Sequence, residues 1–172
     1  MMKHLFLAAI FLPLGLLAQD CKIKRSIDPY TKEAKVSTGF AQFGAGSDRF
    51  KLTADASKTE LEFILSLNDA KEGKCFSDAS MAVLTFEGGK IKSTIKNTGS
   101  MNCEGSFTLG FKNTTSTPSP VKNLLSKKVI SIKLTGNNKQ VTELVLTDKE
   151  GEQLMQMAGC ILAEAKALLA TK

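Results

Sequence analysis

The sequence predicts an α+β domain: an antiparallel β-sheet of about seven to nine strands with a C-terminal α-helix packed on it, or, as the alternative, a closed or partly closed β-barrel plus helix. Three observations point there. Beyond residue 20 the chain falls into short runs in which apolar and polar residues alternate, the pattern of strands with one buried face. Turn-forming residues separate those runs. The last stretch changes to the 3.6-residue period of an amphipathic helix.

Taken in order, "CKIKRSIDPYTKEAKVST" predicts an N-terminal hairpin turning at Asp28-Pro29, because proline presets φ and aspartate can accept hydrogen bonds from the backbone just ahead of it. "DRFKLTA" is a short strand. "TELEFILSLND" alternates cleanly, with Leu61, Phe63, Leu65 and Leu67 on one face and Glu62 and Ser66 on the other. "SMAVLTFEGGKIKSTIKN" is the clearest hairpin: Gly88-Gly89 can supply positive φ at the turn, Ile91 and Ile95 point inward, and Lys92, Thr94 and Lys96 point outward. In "SFTLGF", Phe107, Leu109 and Phe111 are the inward set. "NTTSTPSP" breaks the chain, and Ser119 as N-cap with Pro120 at the first helical position starts a short helix. "KKVISIKLTG" and "KQVTELVLT" form a second hairpin across "TGNNK". Thr147 and Glu150 have capping-box spacing, and Leu154, Met157, Ala158, Ile161, Ala165 and Leu168 then share one helical face. Met155 and Met157 read as core filling, and Gly159 inside the helix costs about 1 kcal/mol relative to alanine.

The chain opens "MMKHLFLAAIFLPLGLLAQ", a short positive segment at Lys3 and His4 followed by an apolar run to Leu17 and the small residue Ala18. That is the layout of a signal peptide over residues 1–18, followed by a single disulfide-stabilised domain over 19–172. The apolar run is about 13 residues, roughly 20 Å as a helix, too short for the roughly 30 Å core of a bilayer. No transmembrane segment is expected in the mature chain, and the expected location is periplasmic or extracellular. Gln19 and Asp20 precede Cys21, whereas lipoprotein processing favours a small residue there, so Cys21 reads as a disulfide half. The 4 cysteines allow three pairings. The favoured one joins Cys75 to Cys103 within the middle of the chain and Cys21 to Cys160 across its ends, since Cys160 lies off the centre of the apolar helical stripe and suits a bond to a segment alongside.

The formal net charge is +6. No acidic residue occurs between Glu104 and Glu143, a span that carries Lys112, Lys122, Lys127, Lys128, Lys133 and Lys139. Such a run suits an acidic partner unless the fold supplies acidic neighbours from elsewhere. The chain has 1 His, which leaves with the leader, no Trp and 1 Tyr. Without histidine, a Ser-His-Asp triad, a Cys-His pair, a His-ligated zinc and a His general base are excluded from the mature chain. Scarce aromatics argue against nucleic acid. Asp69, Glu72 and Asp78 crowd one loop, but Lys71 and Lys74 oppose a cation there, so no metal site is expected, nor any cofactor. Asn113-Thr114-Thr115 is a formal glycosylation sequon.

Together, "IDPYTKE" after the early cysteine, "KCFSDASMAVLTFEGGKIK", "MNCEGSF" and "KKVISIKL…VTELVLTDKEGEQLMQMAGC" resemble, by layout, a group of small exported bacterial proteins with no assigned activity. The resemblance implies an exported, strand-rich domain with a C-terminal helix and carries no catalytic residue with it. The functional expectation is a non-enzymatic extracytoplasmic binding module for a protein or anionic glycan, with Lys122, Lys127, Lys128, Lys133 and Lys139 as candidate contacts. The alternatives are a carrier of a small apolar ligand between sheet and helix, and, third, a carboxylate-dependent hydrolase.

Overall fold

Each alternating run becomes a strand because its apolar half can be buried only by pairing and packing. A computed structural model describes residues 21–68 and 74–170; the signal peptide expected over residues 1–18, and Asp69, Lys71 and Glu72, lie outside them. The strands are β1 Lys24–Ile27, β2 Ala34–Ser37, β3 Ala41–Phe43, β4 Phe50–Ala56, β5 Glu60–Leu67, β6 Met81–Phe86, β7 Lys92–Lys96, β8 Ser106–Lys112, β9 Val129–Thr135 and β10 Val141–Val145. The helices are α1 Ser119–Ser126 and α2 Asp148–Ala170. The class is α+β, as the sequence predicts.

The strands divide between two antiparallel sheets. One runs β1-β2-β4-β5-β8 with β3 also paired to β4, and the other runs β10-β9-β6-β7. A bridge between Asn97, just past β7, and Leu109 in β8 links them. Neither sheet closes on itself, so the barrel alternative is not the one adopted. Helix α2 packs against β2, β4, β5 and β9, strands drawn from both sheets, and against α1. Phenylalanines contribute much of the core: Phe43 stacks on Phe50 at 5.3 Å, and Phe76 meets Phe107 edge-on at 5.2 Å.

Leu61, Phe63, Leu65 and Leu67 of β5 are all buried. Gly88 and Gly89 turn the β6–β7 hairpin at φ +78° and +71°, and Asp28 Oδ1 accepts hydrogen bonds from the Tyr30 and Thr31 amides to close the β1–β2 turn. Thr147 and Glu150 form the capping box at the start of α2. Both disulfides form as favoured, Cys21–Cys160 and Cys75–Cys103.

Three local expectations are corrected. The N-cap of α1 is Pro118 rather than Ser119, because the Pro118 carbonyl already accepts the first helical bond, from Lys122, while its own backbone stays extended. Ile91 is 37 % exposed while Ile95 is buried, since Ile91 precedes the first paired residue of β7, where the core no longer reaches. Phe111 is only half-buried at the margin of β8, in edge contact with Phe63.

Candidate functional site

In the four-stranded sheet the inward residues Ala82, Leu84, Phe86, Ile95, Ile132, Leu134 and Leu144 are buried. Alternation sends their neighbours to the opposite face, and the register arranges that face in rows. Glu143, Lys133, Val83 and Thr94 form the middle row across β10, β9, β6 and β7. Val145, Ser131, Thr85 and Lys92 flank it on one side, and Val141, Thr135, Met81 and Lys96 on the other. Val145 is 66 % exposed, Val141 54 % and Met81 38 %. Lys92, Lys96 and Lys133 are exposed too, with Glu143 the one carboxylate in these rows. At strand spacings, the three lysines mark a triangle with edges of roughly 12 Å. The face thus combines exposed aliphatic surface, hydroxyls and net positive charge.

Of the lysines singled out in sequence, Lys133 alone lies in this arrangement. Lys122 is exposed on α1, Lys127 is half-buried just past it, and Lys139 sits in the β9–β10 turn at φ +57°. Lys128 pairs with Asp148 and, at 3.5 Å, with Glu152 on α2. The hydrogen bond to Asp148 holds its pKa above the ordinary lysine value. Its charge is therefore answered by acidic residues from another element. Lys92 and Lys96 were legible as the outward side of β7, but nothing in the linear chain places them beside Lys133.

A second constellation lies on the outer face of the six-stranded sheet. Asp55 on β4 stands opposite Glu62 on β5, and cross-strand Cβ atoms are about 5 Å apart. Asp55 Oδ1 accepts hydrogen bonds from Ser37 Oγ at 2.6 Å and Thr53 Oγ1 at 2.8 Å. Partial burial raises the pKa of Glu62 above the ordinary glutamate value; Glu60 and Asp55 push it the same way and Lys35 opposes them. Glu60 and Glu62 also border an open groove of about 440 Å³ with Thr98, Gly110, Phe111 and Lys112. Among the described residues, no cluster of three or more His, Cys, Asp or Glu is placed to hold a metal ion.

Two small cavities separate the N-terminal hairpin from α2. One of about 180 Å³ lies beside Ile23, Met157 and the Cys21–Cys160 bond, and one of about 200 Å³ lies beside Val36, Ala167 and Leu168. Asn113 of the formal sequon is 7 % exposed, and its amide nitrogen donates to the carbonyls of Ser57 at 2.9 Å and Ala165 at 2.7 Å. That nitrogen is committed to the fold and is closed to a glycan in the folded protein. Among the described residues no helix is long and apolar enough to cross a membrane. Protein-family models, curated proteins and solved structures yield no match to this chain.

Proposed function

We propose that the chain is an exported, non-enzymatic binding module that recognises an anionic surface, on a protein or a glycan, through the outer face of its four-stranded sheet. The observation that carries this reading is the coincidence on one open face of Lys92, Lys96 and Lys133 with exposed Met81, Val141 and Val145. Exposed aliphatic side chains set among lysines on one open face suit a contact surface, and the lysines select the sign of the partner. The leader and the two disulfides support export to an oxidising compartment. Carriage of an apolar ligand has less support, because the cavities under the hairpin are about 180 and 200 Å³ against the roughly 300–1,000 Å³ of ordinary ligand pockets.

The test is amide chemical-shift mapping with a sulfated polysaccharide and an acidic peptide as probes. Shifts should concentrate on β6, β7, β9 and β10. Single Lys→Glu changes at positions 92, 96 and 133 should weaken binding at least about two- to fivefold each, the scale of exposed ion pairs. Shifts scattered over the surface, or binding indifferent to these changes, would sink the reading.

A second reading, carboxylate-dependent hydrolysis, is favoured by one observation: Asp55 is hydrogen-bonded by two hydroxyls while Glu62 opposite it has a raised pKa. Environments that differ in this way are how paired carboxylates divide acid and base roles. Glycosidic or ester turnover by the purified protein that disappears in Glu62→Gln would establish it, and turnover unaltered by that change would remove it.

A further inference from the structure

The β1–β2 hairpin holds out apolar side chains that bury almost nothing in their own fold. From Lys24 to Lys35 every residue is exposed except Asp28. Ile27 and Tyr30, at the turn, are 69 % and 91 % exposed. The hairpin joins the sheet at its root, where Val36 of β2 is buried and pairs with Ala56 of β4; beyond that point it is a two-stranded ribbon without a core beneath it, marginal by itself, and further contacts hold it in place. The Cys21–Cys160 disulfide ties its root to α2. Arg25 pairs with Glu164 of α2 at 2.7 Å. Asp28 closes the turn through the Tyr30 and Thr31 amides, each at 2.9 Å, and pairs with Lys35 at 2.7 Å. The combined effect is to keep Ile27 and Tyr30 at a defined place in solvent.

The surroundings of that tip are basic. Lys22, Lys24, Arg25, Lys32 and Lys35 stand against Asp28 and Glu33, and the ion pairs above engage Arg25 and Lys35. Lys22, Lys24 and Lys32 are exposed, with Lys32 in the turn itself at φ +60° and Lys24 about 10 Å behind Ile27 along the strand.

We propose that the hairpin tip docks the protein on an anionic lipid bilayer, with Ile27 and Tyr30 entering the headgroup boundary and Lys24 and Lys32 facing lipid phosphates. Tyrosine suits that boundary because its ring is apolar and its hydroxyl stays hydrated. A basic residue close to an anionic membrane adds about fivefold to binding. A protein partner fits less well, since a stable protein interface covers about 800 Å² per side and the tip offers two apolar side chains on a narrow ribbon. This contact uses a different sheet from the proposed recognition face and does not rest on that reading.

The test is co-sedimentation of the disulfide-bonded protein with vesicles of equimolar phosphatidylglycerol and phosphatidylcholine, and with phosphatidylcholine alone. Tyr30 is the one tyrosine in a chain without tryptophan, so its emission reports the tip directly. We expect binding to the anionic vesicles only, quenching of Tyr30 by doxyl-labelled lipid, and loss of binding between ~0.1 M and ~1 M salt as the screening length falls from about 10 to about 3 Å. Ile27→Ser and the double change Lys24→Glu/Lys32→Glu should each lower the bound fraction at least about tenfold with an unchanged circular dichroism spectrum, whereas Lys51→Glu and Lys149→Glu, exposed lysines outside the hairpin and the sheet face, should leave it as it was. No binding to anionic vesicles, binding without quenching of Tyr30, or binding lost through the Lys51 or Lys149 change and kept in the tip variants would each overturn the proposal.

Discussion

Gly151 and Gly159 lie in the same helix and answer to different neighbours. A Cβ added at Gly151 would meet the Val129 carbonyl oxygen at 2.9 Å, so this glycine lets α2 approach β9. A Cβ at Gly159 would meet nothing within 4 Å. Gly159→Ala should therefore stabilise the protein by about 0.5–1 kcal/mol through helix propensity, and Gly151→Ala should destabilise it by about 1–2 kcal/mol because backbone must shift; urea midpoints of the two variants decide both signs. Asp28 makes a different kind of residue-scale prediction. Its hydrogen bond to Lys35, then those from the Thr31 and Tyr30 amides, hold its carboxyl well below the usual aspartate range. A depressed folded pKa contributes stability that is present above the unfolded value, about 3.9, and lost as pH falls through the folded one. Asp28→Asn should loosen the hairpin turn at neutral pH and differ progressively less from the parent in strong acid, as read by exchange of the Tyr30 and Thr31 amides normalised to the unfolded chain at each pH.

Among the elements, α2 is the one that gathers the others. Glu150 completes its capping box and, through Oε1, also accepts a hydrogen bond from the Gly44 amide at 2.6 Å, so one carboxylate starts the helix and holds the turn after β3. Although partial burial pushes its pKa up, the Thr147 and Gly44 hydrogen bonds win and leave it below the ordinary glutamate value. The Cys21–Cys160 bond fastens the hairpin to the same helix. It closes a separation of 139 residues and Cys75–Cys103 one of 28, which in the chain-entropy account correspond to about 5 and about 3.6 kcal/mol as upper values. Replacing Cys21 and Cys160 by serine should lower the melting temperature more than replacing Cys75 and Cys103, and should alone release the hairpin to rapid amide exchange. An equal loss from the two pairs would show that native-state contacts rather than loop length set their worth.

For the molecule as a whole, the charge pattern of the linear chain is redistributed by folding. The acid-free span from Glu104 to Glu143 predicts a basic face, but Lys128 is met by Asp148 and Glu152, and Lys133 gains its cationic neighbours from β7. On the other sheet, folding brings carboxylates together. Glu62 carries a raised pKa, so the folded state holds its proton to higher pH than the unfolded chain does. Global stability should fall as pH rises through the interval between the ordinary glutamate value and that of Glu62. Glu62→Gln should remove this fall, matching the parent in acid and exceeding it at neutral pH in chemical denaturation.

The positions of the strands other than β3, the hairpin turns, the capping box of α2 and, apart from Ile91 and Phe111, the split between inward and outward residues were legible in the chain, because each depends on neighbours within a few positions. Beta-strand alternation identified the buried set of β5, and Asp28-Pro29 and Gly88-Gly89 announced their turns through backbone requirements local to them. The even cysteine number pointed to two disulfides and the helical position of Cys160 favoured one of the three pairings, while the pairing itself was decided by the structure. The tertiary structure alone decided that the strands form two open sheets, that Lys92 and Lys96 share a face with Lys133, that Asn113 is buried against α2, and that Asp55 opposes Glu62. The burial of Asn113 depends on how α2 docks, and the others on which strands pair and in what register. Pairing of that kind is set by the shared burial of apolar faces far apart in the chain, and no short stretch of residues contains it.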